Sequence, residues 1–372
     1  MVARRAHNPK VVGSNPAPAT KYQTPRFNAE GVLFFLFPAA SVFCRIFLPA
    51  AISERQAAVC LRLQIQAVWL QSSALCSRKP AMPTVRFTES VSKQDLDALF
   101  ERAKASYGAE SCWKTLYLNR LPLGNLSPEW AERIKKDWEA GCSESSNGIF
   151  LNADGWPDMG GRLQHLARTW NKAGLLHGWR NECFDLTDGG GNPLFTLERA
   201  AFRPFGLLIR AVHLNGLVES NGRWHFWIGR RSPHKAVDPG KLDNIAGGGV
   251  SGGEMPSEAV CRESSEEAGL DKTLFPLIRP VSRLHSLRPV SRGVHNEILY
   301  VFDAVLPETF LPENQDGEVA GFEKMDIGGL LDAMLSKNMM HDAQLVTLDA
   351  FYRYGLIDAA HPLSEWLDGI RL

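Results

Sequence analysis

The chain has little cysteine, no internal repeat and no excess of either charge, and each shortage closes off a class of function. Seven cysteines in 372 residues stand far apart, at 44, 60, 76, 112, 142, 183 and 261, and never as C-x-x-C. That spacing argues against a disulfide framework or a zinc site, so a reducing, cytoplasmic setting is expected. The formal net charge is zero, but it is unevenly spread. Up to Pro80 ten Lys and Arg face two Asp and Glu; after it 31 face 39. An acidic body lacks the clustered cations that a phosphate backbone demands, so no nucleic-acid partner is expected. The apolar run from Gly31 is broken by Pro38, Arg45 and Pro49. It is too short before Arg45 to span a bilayer, so no membrane partner is expected either.

The first 81 residues read differently from the rest. HNPKVVGSNPAPATK resembles the translation of a transfer-RNA gene, and MPTVRF at Met82 begins normally patterned sequence. Residues 1–81 are therefore expected to be a non-native leader or a disordered segment, and no function is assigned to them. Residues 82–199 are expected to form a small α+β domain and residues 200–372 a second one. Ser92, with Asp95 three residues on, predicts a capped helix through SKQDLDALFERAKASYG. WKTLYLNRLPLGNL predicts a hairpin turning at Asn119–Pro122. Ser127 followed by Pro128 opens another helix, expected to end before Gly141, and residues 159–177 carry a third. From Phe205 the pattern becomes rich in strands: FGLLIRAVHLNGLV, WHFWIGRR, LIRPVSRLHSL and NEILYVFDAVLP. Along WHFW, Trp224 and Phe226 share one face and Trp227 takes the other. MDIGGLLDAMLSK and AQLVTLDAFYRYG predict C-terminal helices.

The chemistry lies in GGGVSGGEMPSEAVCRESSEEAGL, residues 247–270. Glycines before a helix usually cradle phosphate, yet this helix crowds carboxylates. Gly247, Gly249 and Gly252 satisfy G-x-G-x-x-G, but Glu254 and Glu258 stand where pyrophosphate would meet the helix end. Gly248 and Gly253 have P-loop spacing, but Glu254 occupies the place of the phosphate-neutralising lysine. Both readings fail on charge. Glu263, Glu266 and Glu267 fall at i, i+3 and i+4, so one helix face presents three like charges that repel one another. A hard divalent cation shared with substrate phosphates turns that repulsion into binding.

Gly248, five residues, Glu254, seven residues, then Arg262-Glu263-Ser264-Ser265-Glu266-Glu267-Ala268-Gly269-Leu270 resembles the Nudix box. Ser264 departs from it, standing where the family has a bulky aliphatic residue. The resemblance implies an α/β (α+β) fold, an α-β-α sandwich around a mixed sheet. It implies that Glu263, Glu266 and Glu267 hold Mg²⁺ (or Mn²⁺) with a backbone carbonyl near Gly248, and that Arg262 and Glu254 form an orienting ion pair. The implied reaction is hydrolysis of a small-molecule diphosphate, one glutamate activating water. Glu318 is either an accessory base or ligand or a solvated carboxylate, and Glu297 either faces the site or the solvent. Arg230, Arg231, Lys235 and Lys241, just ahead of the box, are candidate diphosphate contacts. Trp113, Tyr117 and Trp156 are either core or ring-stacking residues; the histidines are given no role.

NECFDLT (residues 181–187) and residues 197–216, 230–249 and 292–307 together resemble a narrower Nudix group, related to the N-terminal part of fungal thiamine pyrophosphokinase. That resemblance implies conversion of thiamine diphosphate, or its oxidised and damaged analogues, to the monophosphate. Three alternatives remain. One is a Nudix pyrophosphatase for an ADP-ribose-like substrate. Another is an isopentenyl-diphosphate-isomerase-like enzyme, which would need Cys183 or Cys261 as its catalytic thiol. The last is a nucleotide-sensing domain without catalysis. Oligomeric state is left open.

Overall fold

The computed structural model describes residues 84–108, 112–235, 237–271 and 279–372; the expected leader lies outside the described residues. Residues 82–372 form one compact unit. Helix α1 (Lys93–Ser106) begins where expected, the Ser92 hydroxyl accepting the Asp95 N–H at 3.1 Å. Strands β1 (Lys114–Leu118) and β2 (Leu121–Leu126) form the expected hairpin. Its turn places Asn119 and Arg120 at positive φ, the mirror-type geometry that suits the twist of paired strands. Helix α2 (Pro128–Asp137) starts on the Ser127 cap and stops four residues short of Gly141. Strands β3 (Cys142–Ser145) and β4 (Gly148–Leu151) complete a sheet of order β2-β1-β4-β3. Helix α3 (Gly155–Lys172) begins four residues before residue 159, its expected start.

A hairpin of β5 (Cys183–Thr187) and β6 (Pro193–Glu198) leads into the short helix α4 (Arg199–Phe205). Asp188 closes the glycine turn by accepting the N–H groups of Gly190 and Asn192, both at 2.8 Å. Helix α4 ends at Gly206, φ 59°, where a Cβ would overlap the Asn125 carbonyl.

Next comes a mixed sheet. Its strands are β7 (Ile209–Ser220), β8 (Arg223–Arg231), β9 (Leu242–Asn244) and β10 (Ala246–Gly249). Beyond helix α5 (Pro256–Ala268) follow β11 (Ser282–Val290), β12 (Gly293–Val305) and β13 (Val319–Met325). The order is β11-β12-β7-β8-β13, with β10 beside β7 and β9 beside β8; β12 and β7 are parallel. Helices α6 (Ile327–Leu335), α7 (His341–Arg353) and α8 (Pro362–Ile370) close the chain.

The period of two along each strand divides the core. On one side of the sheet Val212, Leu214, Trp227 and Phe302 pack with Ala259, Val260 and Ala268 of α5. On the other, Trp224, Phe226, Leu299 and Val301 pack with α6, α7 and α8. The sheet is thus sandwiched between helices, with the tryptophans divided as the alternation predicts. A separate core, from Leu116 to Ile209, gathers β1–β6, α2, α3 and α4. Helix α1 does not join it: Leu96 and Leu99 pack in the core beneath α6–α8. No helix among the described residues is long and apolar enough to cross a membrane.

Candidate active site

Three glycines at the edge of the sheet let α5 come close. A Cβ at Gly248 would overlap the Glu263 carboxylate, one at Gly249 would overlap the Phe184 ring, and one at Gly247 would stand 3.0 Å from His213 Nδ1. These glycines serve close packing, and no phosphate cradle is needed to explain them. The N-terminal end of α5 is already satisfied: Glu258 accepts the Met255 N–H at 2.9 Å, and Asp185 accepts that of Gly253 at 2.8 Å.

Arg262 organises the acids. Its Nε and Nη2 bind Glu254 at 2.9 and 3.0 Å, and Nη2 also donates to the Gly249 carbonyl at 3.2 Å. From the same guanidinium Nη1 reaches Glu263 at 2.7 Å and Glu266 at 3.3 Å. Burial works to raise Glu254, but Arg262 and the Ser251 N–H hold it below the ordinary carboxylate value. Glu263 and Glu267 go the other way. Burial pushes Glu263 up despite Arg262. It pushes Glu267 up to about 8 despite Lys235 and the Gly247 N–H, which donates to its carboxylate at 2.8 Å. Lys235 bridges Glu267, at 3.2 Å, and Glu318. Burial works to lower Lys235, but those two acids outweigh it and raise it. Ser264 is fully buried, as its box position requires, and its hydroxyl donates to the Val260 carbonyl at 2.5 Å.

The acids open on a cavity of about 280 Å³. Its floor is the glycine strand and Arg262, Glu263 and Glu266. Arg231, Lys235, Asp316 and Glu318 join the lining, and so do Phe184, Glu297 and an arginine wall of Arg180, Arg199, Arg203 and Arg292, in which Arg180 reaches Glu318 at 3.6 Å. The sequence-predicted residues Gly248, Arg262, Glu263, Glu266, Arg231, Lys235, Glu297 and Glu318 are thereby brought together. Glu267 sits just behind, 5% exposed, and Glu254 acts on the cavity through Arg262.

Arg230 and Lys241 do not line the cavity, and this corrects the expectation for both. Side chains alternate along β8, so Arg230 points away from Arg231 and pairs with Glu323 at 3.0 Å. Lys241 pairs with Asp238 at 2.8 Å. Trp113, Tyr117 and Trp156 are absent from the lining too; Tyr117 stacks on Phe150 at 4.4 Å. Phe184 reaches the lining instead, beside the imidazoles of His177 and His213. Neither Cys183 nor Cys261 lines it, so neither thiol stands where an isomerase needs one.

Sequence reasoning missed the arginine wall. Arg199 and Arg203 stand one helical turn apart, a spacing that RAAFR displays, but nothing local says that this turn faces residues sixty positions on. It also missed a buried network. His295 lies between Asp342, 3.1 Å from Nε2, and Glu297, 3.3 Å from Nδ1; Ser286 donates to Asp342 at 2.8 Å, and Arg203 to Glu297 at 3.2 Å. Burial opposes charge on Asp342, yet His295 and Arg288 hold its carboxyl well below the ordinary value. Among the described residues, two trios offer ligand atoms within 4.8 Å of one another: His295, Glu297 and Asp342, and Glu267, Asp316 and Glu318. In the first each imidazole nitrogen already faces a carboxylate, which suits an ion-pair network better than a metal. The second consists of carboxylate oxygens on the α5 side, the hard donors that Mg²⁺ or Mn²⁺ prefer. Lys235 already bridges Glu267 and Glu318 in that trio, and Glu263 and Glu266 are not part of it. The oxygen chemistry of these carboxylates fits a divalent cation, with Glu267 common to the trio and to the box acids.

The NUDIX domain family model matches residues 208–346. Nudix hydrolase 24, chloroplastic, of Arabidopsis thaliana is 34% identical over 202 residues, 54% of this chain and 55% of the plant protein. Nudix hydrolase 20, chloroplastic, of the same plant is 33% identical over 50% of each chain. An uncharacterized protein of Saccharomyces cerevisiae is 31% identical over 231 residues, covering 58% of this chain and 67% of the yeast protein. The chain spans about half the length of the two plant relatives. Among solved structures, a Deinococcus radiodurans protein aligns over 45% of this chain and 98% of its own, at 24% identity and a TM-score of 0.34.

Proposed function

The chain belongs to the Nudix family, and on that premise we propose that its cavity hydrolyses a small-molecule diphosphate with the help of a divalent cation. The observation that supports this reading is that one cavity lining carries both the box acids, Glu263 and Glu266, and four arginines, Arg180, Arg199, Arg203 and Arg292. Mg²⁺ or Mn²⁺ held by Glu263, Glu266 and Glu267 would polarise phosphoryl oxygens and lower the pKa of bound water. Arg262, fixed by Glu254, orients the carboxylates, and the cationic wall neutralises the phosphates. The water oxygen bonds to phosphorus, and the bridging P–O bond breaks with its electron pair leaving on the departing phosphate. The proton of the water passes to a cavity carboxylate.

Thiamine diphosphate, or an oxidised analogue, is the substrate this reading favours. The four stretches that carry the narrower resemblance supply Glu182, Phe184, Arg199, Arg203, Arg231, Lys235, Arg292 and Glu297 to the cavity. A cytoplasmic enzyme of small-molecule metabolism is part of the same proposal. The test is phosphate release from thiamine diphosphate, its oxidised form and ADP-ribose, each with Mg²⁺ and with chelator. Chelator-sensitive release of phosphate and thiamine monophosphate supports the proposal. Faster cleavage of ADP-ribose would remove the thiamine assignment, and indifference to chelator would remove the mechanism.

A further inference from the structure

Three of the wall arginines converge by construction. Arg199 and Arg203 come from α4, whereas Arg292 comes from the turn between β11 and β12, ninety residues away in sequence. Two glycines bring them together. Gly293 has φ 127°, and a Cβ there would overlap the Arg203 carbonyl, so the turn lies directly on α4. Gly178 has φ 81°, and a Cβ there would stand 3.4 Å from Arg292 Nη1. Both positions combine a left-handed backbone with a close neighbour, which glycine tolerates best.

The charges in this corner do not balance. Glu182 binds Arg199 at 2.7 Å and Glu297 binds Arg203 at 3.2 Å. Among the described residues no carboxylate lies within ion-pair distance of Arg292. Burial, and then the charges of Arg203 and Arg199, push Arg292 below its ordinary value. Three guanidiniums thus face two carboxylates in the cavity that also holds Glu263 and Glu266. Each carries five donors in a fixed fork that matches phosphate oxygens, and each paired one retains donors beyond its ion pair.

We propose that Arg199, Arg203 and Arg292 form a subsite for a terminal phosphate, so that the protein selects diphosphate monoesters over diphosphate diesters. The proposal rests on the diphosphatase reading and narrows its substrate class. A terminal phosphate carries close to two negative charges and three free oxygens. A phosphate esterified on its outer side carries one charge and two free oxygens, so it satisfies a trio of forks less well.

ADP and ADP-ribose share an adenosine diphosphate and differ in whether the outer phosphate is esterified, which makes them suitable probes. With Mg²⁺ present, titration calorimetry should show ADP binding at least tenfold more tightly than ADP-ribose. Arg292→Ala should remove most of that preference by weakening ADP alone. Arg292→Lys, which keeps the charge but loses the fork, should fall between the two and serves if the alanine variant fails to fold. Inorganic phosphate, titrated without divalent cation, gives a readout independent of turnover. Wild type and Arg230→Ala, a variant outside the cavity, should bind it equally, and Arg292→Ala at least tenfold more weakly. A folded Arg292→Ala with unchanged phosphate affinity and unchanged ADP preference would overturn the subsite. If Glu266→Gln instead retained full turnover, the diphosphatase reading would fall while the phosphate titration could still uphold the subsite.

Discussion

Glu266 is the most exposed of Glu263, Glu266 and Glu267, its side chain 49% accessible, and its contact with Arg262 is 3.3 Å long. Removing its charge should therefore spare the fold while removing one oxygen donor. Glu266→Gln is expected to lower kcat by about 10²–10³-fold, the loss of several kcal/mol of transition-state stabilisation, with unchanged circular dichroism and melting temperature. Glu267 differs, because burial raises it to about 8. Below that pH its carboxyl holds a proton that a cation must displace, so Mg²⁺ affinity should tighten as pH rises from 6 to 8.5. The sign for stability is opposite. A carboxyl raised above its unfolded value makes the folded state bind more protons, so metal-free protein loses this contribution between the ordinary carboxylate range and about pH 8. Melting temperature against pH, wild type minus Glu267→Gln under chelator, should fall across that window. A flat difference would show that Glu267 is already ionised.

At the scale of the element, α5 is a packed helix with one charged face, and its box departure is locally repaired. The Ser264 hydroxyl bonds the Val260 carbonyl, which belongs to the preceding helical turn. Such back-bonding adds little to a helix, so Ser264→Ala should change stability by no more than about 1 kcal/mol in urea unfolding. A loss of 3 kcal/mol would mean that the hydroxyl does more than fill the turn. Gly248 is the stricter position. Gly248→Ala must push the Glu263 carboxylate away from β10, so activity should drop at least tenfold even where the protein still melts cooperatively. The spacing of the box was legible because one helix face and one glycine strand write it within about twenty residues. The arginine wall was not legible, because α4 and the β11–β12 turn meet only after the chain has folded.

At the scale of the whole molecule, the cavity needs both cores. The acids come from the layer above the mixed sheet, and Arg180, Arg199 and Arg203 come from the segment packed with β1–β6. Gly206 joins the two, at φ 59° and against the Asn125 carbonyl. Gly206→Ala should cost about 2 kcal/mol or more, from left-handed strain plus the clash. Substrate KM should rise with it as the arginine wall shifts. An unchanged KM and melting temperature would show that this junction does not set the wall.

The sequence alone determined the parts that depend on neighbours along the chain. Helix caps at Ser92 and Ser127, the hairpin turning within Asn119–Pro122, the divided tryptophans of β8 and the acidic face of α5 all follow from the local sequence, because turn residues, caps and 3.6- and two-residue periods act between neighbours along the chain. Only the tertiary structure decided which cations meet those acids. It turned Arg230 and Lys241 outward, kept Tyr117 and Trp156 out of the cavity, set α1 under the far face of the sheet and brought Arg292 to α4. Those outcomes are long-range packing choices, made where glycines let backbones touch, and no local period encodes them.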